Sequence, residues 1–110
     1  MEKVKWHFRN NYKRKKGKIK KHPSLIFAKN FDGTKYFNIG LTHADKSGHH
    51  KNTEISDPTN WKKKSYLRND ISADDVEVFG EFLNNYKVNP KDKEKISKLI
   101  LKFKIKNKIK

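Results

Sequence analysis

Ser24-Leu25-Ile26-Phe27-Ala28, then Asn30-Phe31-Asp32-Gly33-Thr34, then Lys35-Tyr36-Phe37-Asn38-Ile39-Gly40-Leu41-Thr42 decide how this chain folds. The first segment is a short apolar run that opens just after Pro23. The second contains Asp-Gly, a pair that readily adopts the backbone conformation of a tight hairpin turn. The third puts Phe37, Ile39 and Leu41 on one side and Tyr36 on the other, the alternation of a half-buried strand. Two antiparallel strands with one apolar face are therefore predicted.

Working outward, Val4, Trp6 and Phe8 alternate with polar residues and predict another short strand. Downstream, Ala44–Lys51 is polar, contains Gly48 and is read as a loop. Thr53–Ser56 is a weaker strand and Asp57-Pro58-Thr59-Asn60 a turn. Lys62-Lys63-Lys64 is read as an exposed basic loop leading into a strand at Ser65–Arg68. Ser72 and Asp75 have the spacing of a capping box, and Val76, Phe79, Phe82, Leu83 and Tyr86 recur at helical intervals, which predicts a helix over 72–86. Asn89-Pro90-Lys91-Asp92 is the start of a second helix, with Ile96, Leu99, Ile100 and Phe103 as its apolar stripe. Strands followed by helices make the expected class α+β. The expected organisation is a basic, aromatic-containing arm over 1–21, one domain over 22–103 and a basic tail over 104–110.

Charge bounds the function. The chain has 110 residues and a net charge of +16. Residues 1–21 carry +9, residues 87–110 carry +8, and the stretch between them is near neutral at −1. Lysine concentrated at both ends attracts a polyanion by releasing its condensed counterions. There is no cysteine, which excludes disulfides and thiolate metal sites and fits a reducing cytoplasm. No apolar run is long enough to span a membrane, and the N-terminus lacks the apolar stretch of a secretory signal. The expected protein is soluble and cytoplasmic, with no membrane partner and no cofactor. His49-His50 lack the carboxylates that a metal site would need, and Asp74-Asp75, at the expected helix start, are read as cap and dipole partners rather than an acid–base pair.

Aromatic rings interleave with cations near the N-terminus. Lys5, Trp6, Phe8, Arg9 and Tyr12 are candidates to stack unpaired bases and hold phosphates. Lys13, Arg14, Lys15, Lys16, Lys18, Lys20 and Lys21 continue the cationic run, and Lys62, Lys63 and Lys64 add a second cluster. Arginine is scarce. Base-edge readout prefers arginine, whereas lysine acts as a point charge on phosphate, so backbone-dominated binding is expected. Unpaired bases favour RNA over duplex DNA.

His22-Pro23-Ser24-Leu25-Ile26-Phe27, the hairpin, and Ile39-Gly40-Leu41-Thr42-His43 together resemble the MazF/PemK toxin family. Ser65-Tyr66-Leu67-Arg68 and a closing helix opened by Asn89-Pro90 resemble its second half, so the likeness spans about residues 20–103. It implies a small SH3-like β-barrel with one or two C-terminal helices. It also implies metal-independent cleavage of single-stranded RNA in a toxin–antitoxin system, with an antitoxin partner. His22 stands where the family has arginine and His43 where it has serine. The resemblance maps the basic catalytic position onto His22 and the phosphate-orienting hydroxyl onto Thr42, with His43 beside it and Arg68 as cation. Histidine suits proton transfer near neutrality, and the guanidinium fork suits phosphorane charge.

The leading expectation is a nucleic-acid-binding protein with RNA preferred. The alternatives are the toxin-type endoribonuclease and a mobile-element inhibitor that occupies a nucleic-acid channel or a ribonucleoprotein. Monomer and homodimer are both left open.

Overall fold

In the computed structural model, residues 2–12, 14–15, 18–19 and 21–107 are described, with side chains over 2–12 and 21–104. The strands of the main sheet are β1 (Glu2–Asn11), β2 (His22–Lys29), β3 (Lys35–Thr42), β4 (Thr53–Asp57), β5 (Asn60–Leu67), β6 (Ser72–Asp75) and β7 (Phe79–Phe82). One helix, α1 (Lys93–Asn107), follows. The sheet is antiparallel in the order β7-β1-β2-β3-β5-β4, with β6 also paired to β3. Two-residue ladders join Arg14–Lys15 to Lys18–Ile19 and Lys46–Ser47 to His50–Lys51.

The β2–β3 hairpin forms where the sequence predicts it, with Leu25 opposite Ile39. Gly33 takes the turn's left-handed position at φ 73°. The Asp32 carboxylate accepts from the Thr34 hydroxyl at 2.6 Å and the Thr34 N–H at 3.1 Å. These bonds hold its pKa below the ordinary 3.8.

β3 is the hub of the sheet. One of its edges runs along β2; the other is shared, its first half with β6 and its second with β5. Two partners on one edge split the sheet, and its two ends, β7 and β4, do not pair with each other. The expected closed barrel is therefore corrected to an open sheet. Closure needs a continuous ring of strand pairs, and here a helix covers the apolar face instead. Ile96 and Ile100 of α1 join Phe8, Leu25, Phe27, Ile39, Ile55 and Leu67 in the buried core.

The helix expected over 72–86 is absent. The segment is β6, a 3₁₀ turn at Val76–Val78, and β7. Val76, Val78 and Phe79 favour extended backbone and Gly80 disfavours helix, and the edge of β3 offers hydrogen bonds that no local helix can match, with Ala73 opposite Phe37. Asp75, expected as a cap, lies 3.8 Å from the Lys35 ammonium. Lys62–Lys64 form part of β5 rather than a loop: Lys64 stands opposite Ser56 of β4, and Lys62 and Lys63 lie in the bulged stretch between that pair and Asp57–Asn60. The first half of the expected arm, Glu2–Asn11, is an inner strand between β2 and β7.

α1 is entered as predicted. Asn89 caps it, its side chain accepting from the Lys91 N–H at 3.1 Å, and Pro90 opens a 3₁₀ turn at Pro90–Asp92. The helix extends to Asn107, four residues into the expected tail. Among the described residues no helix is long and apolar enough to cross a membrane.

Candidate nucleic-acid interface

The β4–β5 hairpin and the start of α1 face each other across an open cleft of about 590 Å³. Lys62, Lys63 and Lys64 line it from β5, and Lys91 and Lys95 from the helix start. The two walls are tied together at their base. Asp92 is buried, and its Oδ2 accepts from the Ser56 N–H at 2.9 Å. Asn89 Nδ2 donates to Ser56 Oγ at 3.4 Å, and Lys95 Nζ donates to the Glu54 carbonyl at 3.1 Å. The exposed Trp61 ring also lines the cleft, and its indole N–H donates to the Lys87 carbonyl at 3.0 Å. These bonds fix the spacing between the two walls that carry the five lysines.

Little negative charge offsets them. Glu54 lies 3.9 Å from Lys64, while the Asp92 carboxylate is directed at the β4 backbone. Among the described residues, Lys62, Lys63, Lys91 and Lys95 have no carboxylate within ion-pair distance. The result is a concave surface with unbalanced positive charge, which concentrates phosphate-bearing ligands.

A second open cleft, of about 700 Å³, adjoins the first through Lys87. Lys5, Lys87 and Lys93 bring cations to it, and Trp6, Phe82 and Tyr86 bring rings. Between them the two clefts wrap the segment that leads into α1.

The sequence-predicted binding residues fall into distinct groups. Lys5 is exposed and lines the second cleft. Trp6 is half-buried there and also packs on the core. Phe8 is 1 % exposed and lies inside the core, so it cannot reach a base; this corrects its assignment. Arg9 is engaged internally, donating to the Gly80 carbonyl at 3.0 Å and to His7 Nε2 at 3.1 Å. Tyr12 lies against Gly80, where an added Cβ would meet its ring at 2.5 Å. Lys21 is exposed. Lys13, Lys16 and Lys20, and the side chains of Arg14, Lys15 and Lys18, lie outside the described residues. Lys62, Lys63 and Lys64 are all exposed at the first cleft.

The four residues mapped for catalysis sit at one end of β3. Ile39 and Leu41 face the core under α1, so Gly40 and Thr42 point to the opposite face. Ser24 pairs with Gly40, and His22 and Thr42 each lie two residues beyond that pair, His22 opposite Asn11 of β1 and Thr42 opposite Tyr66 of β5. The Arg68 N–H donates to the Gly40 carbonyl at 2.9 Å, and its Cδ lies where a Cβ on Gly40 would come to 2.9 Å. Its Nε is 3.2 Å from Asp70, an exposed pair. His43 is exposed beyond the end of β3, and its charge acts on Asp57.

Sequence reasoning missed Trp61, Phe82, Lys87, Lys91, Lys93 and Lys95. The i, i+4 spacing of Lys91 and Lys95 on a helix opened by Pro90 is a signal that was present. Nothing in the sequence shows that this helix start faces Lys62–Lys64. No protein-family model matches the chain, nor does any curated protein or solved structure.

Proposed function

We propose that the chain binds nucleic acid, RNA by preference, chiefly through the phosphate backbone. The observation that carries the reading is the cleft between β5 and the start of α1. There two elements distant in sequence bring five lysines together, four of them, among the described residues, without a carboxylate partner. Lysine point charges at this spacing neutralise a run of phosphates with little regard to sequence. In the adjoining cleft an exposed ring, Phe82, and two half-buried ones, Trp6 and Tyr86, beside cations suit unpaired bases, which RNA supplies more often than duplex DNA.

The test is titration of a labelled single-stranded RNA across rising salt. Affinity falls log-linearly with salt, with a slope of about −0.7 per phosphate neutralised on single strands. Replacing Lys62, Lys63 and Lys91 together by glutamine reduces the magnitude of that slope by about 2. A slope unchanged by the triple variant, or no retention of RNA at low salt, overturns the reading.

A second reading, a metal-independent endoribonuclease, is favoured by the placement of Thr42, Arg68 and the His22 end of β2 around one end of β3. Incubation with labelled RNA in a chelator decides it. Cleavage by the unaltered chain that His22→Ala abolishes supports it, and intact RNA or equal cleavage by the variant rejects it.

A further inference from the structure

We infer that the second cleft is a stacking site for an unpaired base, with Phe82 as the platform, so that the ligand is single-stranded nucleic acid. This inference rests on the phosphate-binding reading of the neighbouring lysine cleft. Phe82 closes β7, where it stands opposite Arg9 of β1, and its ring is 53 % exposed. The ring lines the second cleft and is not part of the core.

The ring is held rather than loose. His7 lies on one side with centroids 5.6 Å apart at 31°. His7 is itself fixed: its Nδ1 is 2.7 Å from the Lys5 carbonyl, Arg9 donates to its Nε2, and Tyr36 meets it edge-on at 6.4 Å. The pair therefore has a fixed inner half, His7, while Phe82 keeps about half its surface open to solvent. Ordered rings of this kind bind a flat partner without first losing side-chain freedom.

The occupant follows from what surrounds the ring. The cleft, about 700 Å³, is within the range of sites that hold small organic molecules and nucleotides. Lys5, Lys87 and Lys93 edge it, and among the described residues none of the three has a carboxylate at ion-pair distance. An aromatic face framed by unpaired ammonium groups fits a base that carries its phosphates with it. Lys87 also provides continuity. Its side chain lines this cleft while its carbonyl holds Trp61 of the lysine cleft. A strand whose phosphates lie along Lys62, Lys63 and Lys91 can reach Phe82 past Lys87. A duplex cannot, because its bases are paired and stacked inside.

The test compares a labelled oligouridine, an oligothymidine and a duplex RNA of equal length, using the full chain and Phe82→Leu, which keeps apolar bulk and removes the π-face. Phe82→Leu weakens binding of both single strands by about 5- to 100-fold and changes duplex binding by less than about twofold. Phe82→Tyr retains the single-strand affinity. Equal single-strand binding by Phe82→Leu overturns the inference, as does an equal loss on single strand and duplex. Should the unaltered chain retain neither single strands nor duplex, the phosphate-binding reading fails first. A Phe82→Leu effect confined to single strands, with the lysine variants weakening all three ligands, supports both.

Discussion

At the scale of the residue, two carboxylates decide more than their number suggests. Asp92 is buried and satisfies the Ser56 N–H, joining the start of α1 to β4. Asp92→Ala leaves that N–H without a partner in the interior and costs about 1–3 kcal/mol, read as a lowered thermal midpoint; Asp92→Asn recovers part of the loss. Asp57 holds the β4–β5 turn. Burial pushes its carboxyl up, but the Thr59 hydroxyl and N–H, the Ser65 hydroxyl and the charge of His43 outweigh that and keep it below the ordinary 3.8. A depressed folded pKa contributes stability above the ordinary value, and that contribution disappears as pH falls through the folded one. The unaltered chain therefore loses stability in acid below about pH 4 more steeply than Asp57→Asn does; melts across pH 6 to 3 measure the difference.

At the scale of the element, the hairpin and the last helix were legible because each carries local signals that agree. Asp32-Gly33 sets the turn, the alternation in Lys35–Thr42 sets the face, and Asn89-Pro90 sets the helix start. Asn89 caps α1 and also reaches Ser56 of β4, so Asn89→Ala costs about 1–2 kcal/mol, checked by denaturant unfolding with an unchanged m-value. The segment over 72–86 misled because five apolar residues happened to fall at helical spacing. Its true structure is decided by the open edge of β3, a partner 34 residues away for the Asn38–Ser72 contact. Long-range pairing of this kind leaves no local mark. The same holds for Lys62–Lys64, where strand or loop depends on what β4 does.

At the scale of the molecule, the question is where +16 of charge goes. Unscreened repulsion among like charges opposes the compact state. Added sodium chloride therefore raises the thermal midpoint of the free chain between about 20 and 300 mM while it weakens nucleic-acid binding; scanning calorimetry and gel retention on the same samples read the two opposite trends. By itself the sequence determined the α+β class, the β2–β3 hairpin, the entry to α1, the apolar stripe of that helix and the cationic excess, because these follow from turn chemistry, side-chain period and charge count. Only the tertiary structure decided that the sheet stays open under a helix, that Phe8 is core rather than contact, and that Lys62–Lys64 meet Lys91 and Lys95 across one cleft. The reason is physical: those outcomes depend on which strand edges find each other and which faces are then left to water, and such competition is settled by contacts between residues far apart in the chain.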